Sequence, residues 1–361
     1  MFYHKPLLKI FLFAILIVPA LSGCSVFRPS DKYQSATLLK TENATQEELI
    51  GQVNHFAKVN SMYAKMDLKF EDNSYAELGI AEKYKTAAGL VVVQRPANIQ
   101  MKVQVPFINK DVVQMTSNGE KFRVAILEDG GSGKYKNFII GSNDADYSIL
   151  QKEAIEQIEN NGNAKELKQN VNAFSNLRPQ HFTDAMLMRP VDPANFLYVQ
   201  STIMQEEIGL DEKNKKIVRW QLRGYYLLDE FRKNPDGSSV IARRFWFDRV
   251  GKVRLARQQI FDAKGEIESD IVYGQEGNLT QTEDYKNLPL QIVVTRPQEK
   301  YKMRLTYQSP QDVSIGKTYP QEAFILENIW NLPVLDLDKK VQEMTGQKPG
   351  ETKPATEVRI Q

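Results

Sequence analysis

Few stretches of this sequence combine residue types and spacing that could carry out catalysis. Residues 130–134 read Gly-Gly-Ser-Gly-Lys, but a nucleophile elbow needs glycine where Lys134 stands, and a Walker phosphate loop needs glycine at Glu128. His55 and His181 are the histidines beyond the N-terminal segment, and neither has a metal-ligand cluster or a triad partner nearby in sequence. The sequence therefore predicts a flexible turn at 130–134, no metal or cofactor, and no enzyme.

Charged residues cluster at two other places, and both patterns favour structural roles. Glu206, Glu207 and Asp211 fall near an expected hairpin end, and no spacing among them marks the carboxylate pair of a glycosidase. The run Arg243–Phe247 alternates, which places Arg243 and two phenylalanines on one face of a strand. That pattern predicts arginine stems covering apolar surface, not an aromatic platform for nucleic acid.

The only cysteine of the chain, Cys24, lies at the end of an N-terminal apolar segment. Lys5 and Lys9 precede the run Ile10–Leu21, which would span roughly 18 Å as a helix against the roughly 30 Å of a bilayer core. This length favours a cleaved export signal over a permanent transmembrane helix. A lone thiol cannot form a disulfide within an exported chain, so another role is expected for it.

The residues Leu21-Ser22-Gly23-Cys24 resemble the bacterial lipobox, in which a leucine and two small residues precede the cysteine that is acylated. The resemblance implies removal of residues 1–23, a diacylglyceryl group on Cys24, and a triacylated N-terminus that holds the chain on a membrane. Ser25, which is not aspartate, then implies the outer membrane, facing the periplasm. The alternative is an ordinary secretory signal with a chance cysteine.

Removal of residues 1–23 leaves a formally neutral chain. That segment holds two of the 47 basic residues and none of the 45 acidic ones. A neutral body argues against nucleic acid as a partner. The expected partner is the membrane, through the N-terminal lipid anchor, and the sequence identifies no envelope protein partner.

The rest of the chain divides into a tether, a body and a tail. Residues 24–44 are polar and lack periodicity, which predicts a flexible tether, and the polar residues 341–361 predict a disordered tail. The body is expected over 45–340. It begins where Thr45 and Glu48 have the spacing of a capping box, which predicts the start of a helix.

Alternation with a period of two predicts that most of the body is antiparallel sheet. Met62–Phe70 and 98–105 alternate in this way, and Asn118-Gly119 is a hairpin signal. Between about 145 and 190 the apolar spacing becomes helical, which predicts a helical insertion covering one sheet face. Further strands are expected at 195–207, 216–228, 239–248, 253–261, 267–273, 290–295 and 302–309. An alternative is two separate α+β domains divided near residue 145.

Several of these elements together resemble the LolA/LolB-like superfamily of lipoprotein carriers and receptors. They are QRPANIQMKVQVP at 94–106, VVQMTSNGEKFRVAI at 112–126, FDRVGKVRLARQQIFDAKGEI at 247–267 and the closing YPQEAFILENIWNLPVLDLD at 319–338. The resemblance implies an α+β fold, a strongly curved antiparallel β half-barrel with helices covering its apolar concave face. No functional residue of the superfamily can be matched to a position in this chain.

A concave apolar face of this kind could hold acyl chains, and methionine suits that role because it is flexible and polarizable. The predicted lining residues are Met62, Met66, Phe70, Ile99, Met101, Val103, Phe122, Val124, Ile126, Met186 and Met188. A filled core would require the same residue types. The sequence therefore predicts a membrane-anchored lipoprotein that binds acyl chains or lipoproteins. The alternative is a structural or assembly lipoprotein without a pocket.

Overall fold

The computed structural model describes most of the predicted body. The described residues are 36–75, 80–83, 86–105, 110–128, 133, 136–150, 152–153, 156, 178–210, 218–277 and 288–346. The predicted signal with Cys24, and residues 347–361 of the predicted tail, lie outside this part of the chain. The chain divides into a smaller unit, Met1–Leu39 with Gln205–Arg223, and a larger unit, Lys40–Met204 with Gly224–Gln361.

The described residues are dominated by strands. They are β1 (Thr37–Leu38), β2 (Ser61–Tyr75), β3 (Ile80–Lys83), β4 (Ala87–Gln94), β5 (Asn98–Val105), β6 (Lys110–Asn118), β7 (Lys121–Ile126), β8 (Phe138–Ser142), β9 (Phe196–Leu210), β10 (Val218–Lys233), β11 (Ser239–Asp248), β12 (Arg254–Phe261), β13 (Ile267–Gly277), β14 (Leu288–Arg296), β15 (Tyr301–Tyr307), β16 (Ser314–Ile315) and β17 (Val334–Asp336). Within the described part of the chain, α-helices with defined bounds are α1 (Gln46–Ala57), α2 (Gln180–Met186) and α3 (Leu337–Thr345).

One large sheet forms the larger unit, and most of its strands are antiparallel. The order runs β8-β7-β6-β5-β4-β2-β15-β14-β13-β12-β11-β10, with each neighbouring pair antiparallel. Strand β17 adds to β8 in parallel, so the sheet is mixed and not purely antiparallel as predicted. Short helices accompany the sheet, which agrees with the predicted α+β class.

The two runs of strands join directly at the centre of this sheet. Strand β2 pairs with β4 on one side and with β15 on the other, where Met66 lies opposite Tyr307 and Phe70 opposite Met303. Backbone hydrogen bonds therefore connect segments from both sides of residue 145. The alternative of two domains divided near residue 145 is wrong.

Helix α1 begins where the capping pattern predicts. The Thr45 N–H donates to the Glu48 carboxylate at 2.8 Å, and the Glu48 N–H donates to the Thr45 hydroxyl at 3.3 Å. Leu49 and Val53 are fully buried on the inner face of the helix. The Gln52 amide fastens the helix to the sheet, because its Nε2 donates to the Val253 carbonyl at 3.0 Å. The predicted helix start is confirmed.

Only part of the predicted helical insertion at 145–190 lies within the described residues. Helix α2 covers Gln180–Met186, near the end of the predicted insertion, and packs against β4, β5 and β14. The chain leaves the helix before Pro190, and the residue that precedes a proline avoids the α-helical conformation. Most of 151–177, in the middle of the predicted insertion, lies outside the described residues.

Two segments expected to be flexible are partly ordered. In the smaller unit, β1 lies within the predicted tether 24–44 and pairs in parallel with β10, where the Leu39 N–H donates to the Leu222 carbonyl at 3.0 Å. In the larger unit, helix α3 includes residues 341–345, the first five of the predicted tail, because Leu337 and Val341 are buried. Backbone pairing and apolar side chains outweigh the polar composition in both places.

We expect Thr45→Ala to lower the free energy of unfolding by about 1 kcal/mol, because the substitution removes a side-chain cap from α1. Urea denaturation of the wild type and the variant measures this difference. Thr45→Ser keeps the hydroxyl and serves as the matched control. Equal losses in both variants would contradict the capping role.

Candidate functional site

The predicted pocket residues all lie in one buried apolar cluster. The exposed fractions of Met62, Met66, Phe70, Ile99, Met101, Val103, Phe122, Val124, Ile126, Met186 and Met188 are all 6% or less. Cross-strand register brings the strand residues together, since Met101 pairs with Met115 and Met115 with Val124. All of them belong to one contiguous cluster of buried apolar side chains.

A small cavity remains between α2 and the sheet. Its volume is about 20 Å³, and its lining includes Met62, Met186, Met188, Tyr273 and Tyr307. A space of this size holds about one water molecule. Three of the predicted pocket methionines, Met62, Met186 and Met188, therefore meet at this cavity.

The segment that covers this face, residues 178–190, is fastened at its start by Arg178. The Arg178 guanidinium donates to the carbonyls of Asn143 at 2.8 Å and Ala145 at 2.5 Å, at the beginning of the predicted insertion. We refer to residues 178–190 as the covering segment. Phe182 and Leu187 supply apolar side chains on its inner side, where the polar residues His181 and Thr183 are buried as well.

The end of the covering segment is fastened by an arginine from the turn between β4 and β5. The Arg95 guanidinium donates to the Met188 carbonyl at 2.5 Å. It also donates to the carbonyls of Ala57 and Val59, each at 3.2 Å, at the end of α1. Arg95 therefore joins both elements that pack on the apolar face.

A second arginine binds the next two carbonyls of the covering segment. Arg243 of β11 donates to the carbonyls of Arg189 at 2.9 Å and Pro190 at 3.1 Å. The same guanidinium forms a bidentate ion pair with Glu230, and both side chains are almost fully buried. Tyr198 donates to Glu230 at 2.6 Å, and burial with this hydrogen bond raises the pKa of Tyr198 to about 12.

Further titratable groups lie beneath α2. His181 Nδ1 lies 2.5 Å from the Tyr301 hydroxyl, and burial, with repulsion from Arg296 and Arg178, holds the pKa of His181 well below its usual range. Arg296 pairs with Glu299 at 2.7 Å and with Glu268 at 3.2 Å. Removal from water raises the pKa of the Asp184 carboxyl.

Sequence reasoning missed this polar network although a signal for it was present. Arg243 shares a buried face with Phe245 and Phe247 as the alternation predicts. The prediction was wrong only in its role, because the whole side chain is buried and pairs with Glu230. A charged residue at an inward position of an alternating strand indicates a buried partner, and Glu230 on β10 pairs with Arg243 in register. Arg244 faces the other side and pairs with Asp229, as its position in the alternation predicts.

A larger groove lies elsewhere in the larger unit, between α1 and the turn that precedes β12. Its volume is about 740 Å³, and its lining includes Glu48, Gln52, His55, Lys252 and Arg254. This lining is mixed, because Phe56, Val253 and Leu255 lie beside the charged and amide side chains. The charged side chains distinguish the groove from the apolar face beneath α2.

The other sequence candidates have no defined site. Apart from Gly133, residues 130–134 lie outside the described part, as does Asp211. Across the residues that the structure describes, no group of three or more His, Cys, Asp or Glu side chains is placed to hold a metal ion. Within the same part of the chain, no helix is long and apolar enough to cross a membrane.

Comparison with known proteins gives matches in structure only. No protein-family model and no curated protein matches this chain. A LolA superfamily protein from Nitrosomonas europaea is 9% identical with a TM-score of 0.39, covering 79% of this chain and 99% of that one. A putative outer membrane lipoprotein-sorting protein domain from Vibrio parahaemolyticus is 8% identical with a TM-score of 0.37, covering 77% and 94%.

A DUF1329 family protein from Desulfovibrio piger is 10% identical with a TM-score of 0.35, covering 77% of this chain and 95% of that one. The first of these three neighbours carries the name of the superfamily that the sequence patterns resemble, and the second is described as a lipoprotein-sorting domain. The TM-scores of these three structures all lie below 0.5.

We expect Arg243→Leu to lower the free energy of unfolding by about 3–5 kcal/mol, because it leaves Glu230 buried without its cation. Arg244→Leu is the matched control on the opposite face of β11. Its pair with Asp229 is partly exposed, so its loss should cost about 1 kcal/mol or less. Denaturant unfolding measures both free energies. Small and similar losses in the two variants would contradict the expected cost of leaving Glu230 buried without Arg243.

We expect His181→Phe to reduce the loss of stability between about pH 7 and pH 5. The unfolded chain takes up a proton on His181 in this range, whereas the buried native ring does not, so acidification favours unfolding. The raised pKa of Asp184 acts in the opposite direction, but it is present in both proteins and cancels in their difference. Urea denaturation at both pH values gives this difference. His55→Phe is the control, and identical pH dependence of His181→Phe and wild type would contradict the prediction.

Proposed function

We propose that this chain is a non-enzymatic lipoprotein of the cell envelope, anchored by acylated Cys24, that binds an acylated lipid or lipoprotein. The binding site is the apolar, half-barrel face beneath the covering segment. The observation that carries the proposal is that arginines bind the backbone carbonyls at the end of this segment above a methionine-rich floor. By analogy with its superfamily, its role would lie in lipoprotein or lipid transport to the outer membrane, from the periplasmic side.

The fastening of the covering segment is polar, whereas the surface beneath it is apolar. Three arginine hydrogen bonds hold residues 188–190, and bonds to a charged group contribute about 1.5–3 kcal/mol each. An acyl chain of about sixteen carbons gains roughly 0.8 kcal/mol per buried methylene, on the order of 12 kcal/mol in total. A bound chain can therefore offset the release of the segment.

The floor is suited to a flexible ligand. Seven of the ten methionines of the chain belong to the buried cluster, and they are Met62, Met66, Met101, Met115, Met186, Met188 and Met303. Unbranched thioether side chains change rotamer at low cost and can repack around an acyl chain. A face of branched residues would be stiffer.

A structural or assembly lipoprotein is the second candidate, and two observations favour it. The cavity of about 20 Å³ is far smaller than an acyl chain, which is what a filled core requires. On β9, Leu197, Val199 and Ile203 share one face and are 37–47% exposed. An exposed apolar strand face is a common feature of protein–protein contacts.

Lipid binding tests the first candidate against the second. We expect the full chain carrying Cys24→Ser to retain cellular lipid, visible by native mass spectrometry, and to bind a hydrophobic dye that oleate displaces. The substitution removes the protein's own acyl chains, so any lipid found occupies the folded body. Repeated absence of lipid together with no displaceable dye would contradict the carrier proposal and support the structural one.

The arginine at the end of the covering segment provides a sharper test. We expect Arg95→Leu to accelerate dye uptake about tenfold or more, because the Met188 carbonyl loses a charge-assisted hydrogen bond. Arg304→Leu, on an exposed position of β15, is the matched control and should leave the rate unchanged. Stopped-flow fluorescence measures the uptake, and equal rates in the two variants would contradict a gating role for the covering segment.

A further inference from the structure

Two polar side chains sit unexpectedly on the apolar face of the sheet. Gln258 of β12 and Ser269 of β13 are each 2% exposed. Among the described residues, neither Gln258 Oε1 nor Ser269 Oγ has a hydrogen-bond partner. A buried polar atom without a partner costs about 1–3 kcal/mol, so a group that forms hydrogen bonds with both atoms would be stabilised at this place.

Register places these two side chains, the polar pair, next to each other. Gln258 lies opposite Ile271, and Ile260 lies opposite Ser269, so the polar pair occupies diagonal positions on neighbouring strands. Diagonal neighbours on one face lie within reach of long side chains. One ligand group can therefore contact both oxygen atoms.

The polar pair lies at one end of the face beneath the covering segment. Tyr273, four residues from Ser269 on the same strand face, lines the small cavity and donates to the Ala185 carbonyl of α2 at 3.4 Å. Four strand residues span roughly 13 Å. An amphiphile with its chain among the cavity methionines would thus bring its polar end to the polar pair.

The charges around the polar pair determine which polar end fits. Arg243 and Arg296 are already paired with three carboxylates, those of Glu230, Glu268 and Glu299. An anionic group would have to compete with these carboxylates for the two guanidinium groups and would also lose its hydration. An uncharged group that donates hydrogen bonds satisfies the polar pair without this cost.

We propose that the polar pair is a headgroup subsite that selects amphiphiles with an uncharged, hydrogen-bond-donating polar group, such as a glycerol hydroxyl or an amide N–H. The inference rests on the proposed function, since it assigns the polar end of the same ligand. It distinguishes the ligand class from free fatty acids and from anionic phospholipids.

Three ligands with one common acyl chain test the subsite on the full chain carrying Cys24→Ser. Monooleoylglycerol donates hydrogen bonds, methyl oleate is uncharged but donates none, and oleate is an anion. We expect monooleoylglycerol to displace a hydrophobic dye with about tenfold higher affinity than either of the other two, which corresponds to about 1.4 kcal/mol. Equal or tighter binding of oleate or methyl oleate would overturn the assignment.

Substitution of the polar pair separates recognition from folding. Ser269→Ala and Gln258→Leu should lower the affinity for monooleoylglycerol about tenfold and change that for methyl oleate less than about twofold. Their thermal unfolding should not be less cooperative or occur at lower temperature, since each removes an unpartnered buried atom. Ser201→Ala, on an exposed position of β9, is the control. An unchanged ligand preference in Ser269→Ala would overturn the subsite.

Different results would contradict acyl binding on the apolar face and the headgroup subsite. Methyl oleate reports on the apolar face alone, because it lacks both a charge and a donor. Binding of methyl oleate without preference for monooleoylglycerol would overturn the headgroup subsite and leave acyl binding supported. If none of the three ligands displaces the dye, both acyl binding and the subsite are overturned.

Discussion

The arginine hydrogen bonds to backbone carbonyls at the ends of residues 178–190 are the interaction on which the arrangement of the apolar face depends. Helix α2 has seven residues, too few to be stable by itself. Its place on the sheet is set by Phe182 and its neighbours below and by Arg178, Arg95 and Arg243 at its ends. Without that cover, the inner surfaces of β4, β5 and β14 would face water.

The core tolerates buried charge because each charged group has a hydrogen-bonding partner. Arg243 could not remain buried without Glu230, and Glu230 in turn accepts from Tyr198. Each group satisfies the others, so the desolvation cost is met by hydrogen bonds of the network. The arginines donate to backbone carbonyls, which every residue type has. They therefore fix the position of the backbone and place no requirement on the side chains of the segment.

The same arrangement relates the two proposed levels of binding. Apolar contacts beneath α2 are non-directional and accept any chain of suitable length, whereas hydrogen bonds to Gln258 and Ser269 have direction. On this face, the methionines at one end would provide most of the affinity for the acyl chain. The polar pair toward the other end would provide the selectivity for the headgroup.

The sequence by itself determined the local elements, because alternation and capping act between near neighbours. The Thr45–Glu48 cap, the strand over Ser239–Asp248 and the buried set from Met62 to Ile126 follow from spacing alone. Only the tertiary structure decided that β2 joins both runs of strands. It also decided that β1 pairs in parallel with β10 and β17 with β8. The contacts of Arg95 and Arg243 with the carbonyls of residues 188–190 likewise depend on the tertiary structure. Those contacts join residues about 50 to 240 positions apart, and no periodicity within one segment reports which distant backbone group a side chain reaches.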